Sequence, residues 1–333
     1  MADYKAIKGH NIQMVAGDIG TLAIGQIWYN SVLGKVRGAK FAAGAFASGG
    51  NMNNATDSGG SLGTQTAAMR FGGRPPSASG IDTTETYDGS SWTETNDMVS
   101  SDKYQNEGAG TTTAGMSIGG RDASNAFLDE VEHYDGTNWT EGTDLNSARA
   151  NQGACGTNTA ALCFGGLPGN QAINEHWDGS SWTEVGDLNT GRKVAMGFGT
   201  ATAALYCQGI TPGNDSGLTI TEQWDGSSWT EVGDSNIPRA YHGGFGISTA
   251  GNVAGGVSTP SEARQAKNEE WDGTTWTEVA DLATARDFLH DGKAGTTLSG
   301  IVFGGTSGPA STAKTTATEE WTSALGAVTL TSS

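Results

Sequence analysis

The sequence predicts an all-β fold: a six-bladed β-propeller with four strands per blade, its ring closed by an N-terminal strand that completes the last blade. Three observations predict it. The unit Glu175–Val185 recurs at Glu222–Val232 and Glu269–Val279, with weaker copies at Glu85–Thr95 and Glu132–Gly142. Its second tryptophan falls at Trp92, Trp139, Trp182, Trp229 and Trp276, in steps of 47, 43, 47 and 47 residues. That period belongs to propellers or solenoids rather than to one wound domain. Six runs ending in glycine keep the same phase: Ala67–Gly73, Ala114–Gly120, Ala160–Gly166, Ala203–Gly209, Ala250–Gly256 and Gly300–Gly305, the fourth ending in Gln208 and Gly209 instead of two glycines. The last copy is incomplete: after Glu319–Trp321 no Asp-Gly turn and second Trp follow. The missing strand stands at the other end of the chain, where Ala45–Asn53 aligns without a gap on Ser181–Asn189, Phe46 taking the Trp182 position and Met52 the Leu188 position. A ring needs such a split, because pairing the two chain ends hides both terminal edges. Phe46 and Trp321 are therefore the expected closure residues.

Taken in order, residues 1–43 stand outside the repeat. Gly25–Gly38 reads as a hairpin: Gln26–Asn30, a turn through Ser31–Gly34, then Lys35–Arg37. A lone hairpin is marginal in water and must dock. Trp28 is the single Trp out of phase with the repeat. Its docking partner is the chain's own propeller or another protein. The second is favoured because the segment precedes a closed array, which makes Ile27, Trp28 and Tyr29 the expected attachment residues. The propeller is expected over 44–322. Its best-preserved unit starts at Asn151, with strands Gln152–Gly156, Ala160–Gly166, Glu175–Asp178 and Trp182–Asp187. The last two form a hairpin about Asp178 and Gly179, since Asp-Gly suits a tight turn in which Gly takes positive φ. The recurring strand glutamates read as a mostly solvated face. The tail, 323–333, is left between two placements: an extra edge strand, or pairing with the N-terminal segment. No stretch reads as a helix.

Composition narrows the classes. Gly makes up 52 of 333 residues, which alone would suit disorder. Nine of the ten Trp lie in phase with the repeat, however. Each buried Trp removes roughly 150–250 Å² from water, about 4–6 kcal/mol gross, and a disordered chain makes no use of that. A net charge of −18 argues against a broad nucleic-acid surface. Cys155, Cys163 and Cys207 form no CxxC pair and read as buried thiols. The N-terminus lacks the apolar core of a signal peptide, and no apolar run reaches 18 residues.

Gly-Gly after an apolar strand, an aromatic–Asp pair ahead of a Trp, and an Arg before the next unit together resemble the kelch repeat over about residues 44–321. The Arg stands at Arg149, Arg192, Arg239 and Arg286; Lys103 and Thr56 occupy its place elsewhere. The wording of Trp177–Val185, with Thr159–Leu162 before Gly165 and Gly166, is similar to kelch-like virion proteins of marine bacteriophages. Gly25–Asn30 resembles a segment near the N-termini of phage tail-fibre proteins. The resemblance implies a structural virion protein, a tail fibre or similar appendage. It would be displayed on the particle, anchored to other virion proteins through residues 1–43, and made in the host cytoplasm. A host glycan or outer-membrane protein would be its partner. A capsid or neck decoration, or a glycan-acting enzyme or oxidase, are the alternatives, and self-association into a homo-oligomer is left open.

The sequence offers an enzyme little. The histidines are His10, His133, His176, His242 and His290. His133 and His176 share a third-strand position filled elsewhere by Thr86, Gln223 and Glu270, which suits a solvent-facing slot better than a copper ligand. His242 and His290 start neighbouring units, but transition-metal sites draw three or four ligands. The Asp178 turn misses the sialidase Asp-box spacing by one residue and is better read as an Asp capping its own loop. No Gly-rich segment carries the Lys-Ser/Thr of a phosphate loop. Neither a catalytic group, nor a metal, nor a cofactor is expected. What varies is the connection from second to third strand: Arg74–Thr84, Arg121–Val131, Leu167–Asn174, Ile210–Thr221, Val257–Asn268 and Thr306–Thr318. These loops share a face with the links between units. Binding residues concentrate on loops carried by a rigid scaffold, which makes Arg74, Arg121, Asn170, Asn214, Arg264 and Lys267, with Pro75 and Pro76, the candidate ligand-binding residues.

Overall fold

The computed structural model describes residues 13–17, 26–41, 44–77, 79–169, 171–211, 217–258, 263–291, 293, 295–308, 313–323 and 325–329. The chain forms two compact units, Ala45–Thr322 and a second made of Met1–Gly44 with Ser323–Ser333. Every regular element among the described residues is a β-strand. The larger unit is a β-propeller-like succession of four-stranded antiparallel sheets. The first runs Gly60–Thr64, Ala67–Phe71, Thr84–Tyr87 and Trp92–Thr95. The same order repeats in sheets that begin at Glu107–Thr111, Gly153–Thr157, Met196–Thr200 and Gly243–Ile247. The sheet that begins with His290–Asp291 takes its fourth strand from the start of the unit. There Ala45–Ser48 pairs with Thr318–Thr322, and Phe46 stands opposite Trp321 with the rings 5.2 Å apart. The first strand of each sheet lies against that of the next, and His290–Asp291 lies against both Gly243–Ile247 and Gly60–Thr64.

Burial follows from this stacking. Second strands such as Ala160–Phe164 are buried on both faces because a sheet lies on either side. Fourth strands such as Trp182–Val185 bury the Trp and expose the residues after it. The fourth-strand Trp packs back onto the preceding sheet. Trp139 meets Phe71 at 4.9 Å and donates its indole N–H to Thr84 Oγ1; Trp92 meets Phe303 at 4.6 Å and donates to Thr318 Oγ1. The three cysteines are free and buried, and burial pushes each thiol up to about 12. One expected loop is largely strand. Ala114–Arg121 and Phe127–Tyr134 extend their hairpin past a register shift after Ile118, leaving only a short turn of the loop expected at Arg121–Val131.

The solvated face expected of the strand glutamates is corrected for half of them. Fourth-strand Glu94 and Glu184 are exposed, but third-strand Glu85, Glu132, Glu175, Glu222, Glu269 and Glu319 are buried. Each accepts a backbone N–H from the link entering its own sheet: Asn53, Val99, Asn146, Asn189, Asn236 and Ala283 in turn. Each also faces a buried cation. Arg149, Arg192, Arg239 and Arg286 pair with Glu175, Glu222, Glu269 and Glu319. Lys103 fills the role for Glu132 at 3.8 Å. Where the link carries Thr56, the guanidinium comes from the second strand instead. Arg70 reaches Glu85 at 2.6 Å and donates to the carbonyls of Gly72 and Thr83, as Arg286 does to those of Gly304 and Ala317.

In the smaller unit Ile27–Asn30 and Lys35–Phe41 form the expected hairpin about a turn at 31–34. Gln13–Val15 pairs with it in parallel, and Leu325–Thr329 pairs antiparallel with Lys35–Phe41. The tail thus joins the N-terminal segment rather than standing apart. Trp28 is fully buried and Ile27 and Tyr29 partly so. Among the described residues here, Met14, Val32 and Leu33 are exposed large apolar side chains.

Candidate binding mouth

Each link between sheets places one residue at the same unusual backbone position, two residues after the Arg, Lys or Thr position of the repeat. These are Ser58, Gln105, Asn151, Val194, Tyr241 and Phe288, with φ between 51° and 57°. Left-handed backbone costs a bulky or β-branched residue of order 1–3 kcal/mol unless its surroundings over-determine it. Here they do, because each of these residues except Ser58 donates its N–H to the carbonyl of its counterpart one sheet back. The distances are 2.5 Å for Gln105 to Ser58, 3.0 Å for Asn151 to Gln105, 3.0 Å for Val194 to Asn151, 3.1 Å for Tyr241 to Val194 and 2.8 Å for Phe288 to Tyr241. A second set of bridges ties the preceding residue to the one after the paired glycines: Asp57 to Arg74, Tyr104 to Arg121, Ala150 to Leu167, Lys193 to Ile210, Ala240 to Val257 and Asp287 to Thr306.

All six left-handed residues line one cavity of about 70 Å³, together with the next residue of each link. The rim is two-sided. Ser58, Gln105 and Asn151 form a polar arc, and Val194, Tyr241 and Phe288 an apolar one, with the Tyr241 and Phe288 rings 4.1 Å apart. Deeper down, Asn106 and Gln152 are each 1% exposed and His242 is 6% exposed. Among the described residues, Asn106 Oδ1, Gln152 Oε1, Gln105 Oε1 and both ring nitrogens of His242 have no hydrogen-bond partner. Burial, aided by the Arg239 charge, pushes the His242 imidazole well below its usual range, which holds it neutral. Glu107 also lines this cavity and pairs with Lys293, which lines a smaller one together with Leu62, Gly108 and Cys155. Burial raises the Glu107 carboxyl and the Lys293 charge opposes it.

The loop residues singled out from sequence divide. Arg74 reaches the mouth: its guanidinium lies 5.6 Å from the Tyr104 ring centre and 5.7 Å from that of Phe288, and pairs with Asp57 at 3.1 Å. Lys314 also meets Asp57, at 3.4 Å. Arg264 pairs with Asp287 at 2.8 Å; burial raises that carboxyl and Arg264 opposes the rise. Arg121 lies over Phe127, 4.3 Å from its ring centre. Lys267 pairs at the surface with Glu278 and Asp281 and does not line the cavity. Asn170 and Asn214 lie outside the described residues. His290 is engaged otherwise, stacked on Phe303 with its ring nitrogens against Thr56 Oγ1 and Gly59 O. Half-buried His133 packs against Trp177. Sequence reasoning missed the left-handed residues and weighed His242 only as a metal ligand. The available signal was a constant offset after the repeat's basic position combined with a residue type that changes from copy to copy.

A scan against protein-family models finds no match to this chain, and a search of curated proteins finds none.

Proposed function

We propose that this chain is a non-catalytic recognition protein of a bacteriophage virion, a tail fibre or similar appendage. It would be a closed, six-bladed propeller that turns its mouth and second-to-third-strand loops toward the host surface, with residues 1–43 holding it to other virion proteins. The virion placement rests on the resemblance of Trp177–Val185 and Gly25–Asn30. Closure is supported by the Phe46–Trp321 pairing and by His290–Asp291 lying against Gly60–Thr64. The observation that carries recognition is the rim. One backbone position, fixed by an unchanging scaffold, holds Ser, Gln, Asn, Val, Tyr and Phe in turn. A position that served packing alone would have no reason to present six chemistries to one opening. Fluorescently labelled full-length chain should bind cells of a susceptible bacterium saturably and slow adsorption of the phage. Absence of saturable binding to cells that the phage adsorbs to would overturn the reading, as would absence of the chain from purified particles.

A further inference from the structure

The mouth carries unspent hydrogen-bonding capacity, most of it acceptors. Gln105 Oε1, Asn106 Oδ1 and Gln152 Oε1 are acceptors without donors. Gln152 Nε2 donates to Ile118 O at 2.8 Å, which leaves its oxygen as the unpaired end of the amide. Asn106 Nδ2 is taken by Ser117 Oγ at 3.0 Å. A neutral His242 adds one donor and one acceptor, both unused. A buried polar atom left without a partner costs about 1–3 kcal/mol, so several on the residues that line one opening mark a place completed by something else. Tyr241, Phe288 and Val194 add an apolar wall to the same lining.

A ligand that completes this mouth must bring several hydroxyl donors on one edge and an apolar face on the other, and must carry no charge, since the unpaired groups are amides and a neutral imidazole while Glu107 and Arg74 are already paired with Lys293 and Asp57. We infer that the mouth binds the terminal ring of a neutral sugar, its hydroxylated edge on Gln105, Asn106, Gln152 and His242 and its C–H face on Tyr241 and Phe288. The cavity, about 70 Å³, has room for about five waters at 10–15 Å³ of probe volume each, which suits the edge of one ring. The inference rests on the reading of this face as the recognition surface and names what it takes.

Calorimetric titration of the full chain with methyl α-glucopyranoside, methyl β-galactopyranoside, methyl α-mannopyranoside and N-acetylglucosamine tests it. At least one should bind saturably. Tyr241→Asn removes the ring while keeping a residue that tolerates left-handed backbone, and should weaken that binding by about tenfold. His242→Leu should weaken it similarly while leaving Tm unchanged or raised, because it also deletes two unpartnered buried nitrogens; a merely structural histidine would lower Tm and leave affinity alone. Saturable binding by none of the four, or affinity unchanged in both variants, overturns the inference. The cell-binding measurement run with the same proteins separates the two readings. Cells bound equally by the natural chain and both variants, with no glycoside bound, leaves recognition standing and removes the mouth as its site. Glycoside binding lost in the variants, with no cells bound by the natural chain, keeps the site and removes the virion reading.

Discussion

Six glutamates lie on third strands with their carboxylates out of water, and each is answered by one cation and by amides of the incoming link. For Glu85 burial pushes the carboxyl up, but Arg70 and the amides of Asn53 and Asn54 outweigh it and leave it below its usual range. Removing a partner leaves a buried charge with half its support. Arg192→Met should therefore cost about 3–5 kcal/mol in urea unfolding. Adding Glu222→Leu should recover only part of that, because the amides of Asn189 and Thr190 that now point at the carboxylate would be stranded. The one lysine in the set argues in the opposite direction. Lys103 sits 3.8 Å from Glu132, lowered by burial, where the Arg70 and Arg286 guanidinium groups reach their partners at 2.6 and 2.7 Å. A planar guanidinium can serve the carboxylate and the neighbouring carbonyls at once. Lys103→Arg should stabilise by about 1 kcal/mol, seen as a rise in the urea midpoint at unchanged slope; a fall would show that the site is too tight for Arg. Four of these six cations could be picked from the sequence by their spacing. Arg70 could not, because it arrives from another strand and only the folded sheet places its guanidinium where the link's Arg would be.

At the scale of one element, the hairpin that repeats most faithfully is held by its turn. Asp178 Oδ1 accepts the amides of Ser180 at 2.8 Å and Ser181 at 2.9 Å, and Gly179 sits at φ 97°. These bonds, that of the Ser180 side chain foremost, hold the Asp178 carboxyl down to about 2. Asp178→Asn keeps a carbonyl oxygen for both amides and should leave Tm nearly unchanged, whereas Asp178→Ala should lower it. Gly179→Ala should cost about 1 kcal/mol or more, because the backbone there is one an L side chain resists and the added carbon would meet Thr159 O at 3.3 Å. Thermal unfolding of the three variants ranks them. These hairpins were legible because the turn chemistry is local: Asp-Gly between two Trp-bearing strands states its own geometry. The mouth was not, because its left-handed residues include Val194, Tyr241 and Phe288, types with no local preference for that backbone. Inter-sheet N–H···O=C bonds impose the conformation, and such bonds have no signature in any single repeat. The exposed reading of the third-strand glutamates failed for the same reason: Glu175 and Glu184 sit directly opposite each other across one hairpin, and only the approach of the incoming link decides which is dry.

At the scale of the larger unit, the two ends of the repeat array meet at one junction, and that junction holds a titratable group. His290 is 1% exposed, stacked on Phe303 from its own sheet and facing Thr56 and Gly59 of the link into the first sheet, with the charges of Arg70 and Asp57 acting on it. Burial first, then Arg70, lowers its imidazole to about 4, against 6.5 for an unhindered histidine, while Asp57 and the Gly59 and Thr56 contacts oppose the shift. The sign follows from which state binds the proton. Between pH 6.5 and about 4 the unfolded chain takes up a proton that the folded junction refuses, so stability present in full above pH 6.5 drains away as the pH falls through that window. The loss by pH 5 is of the order of 2 kcal/mol from this group alone. Tm should therefore drop between pH 7.5 and pH 5. His290→Gln, which keeps hydrogen-bonding capacity toward Thr56 and Gly59 but cannot titrate, should flatten that drop even if it lowers Tm at neutral pH. Phe46→Ala, on the far strand of the same sheet, should lower Tm at every pH without changing the slope, since it thins the Trp321 contact and leaves the imidazole where it was. A slope equal in the natural chain and His290→Gln would place the acid sensitivity elsewhere, with neutral His242 at the mouth the next group to change.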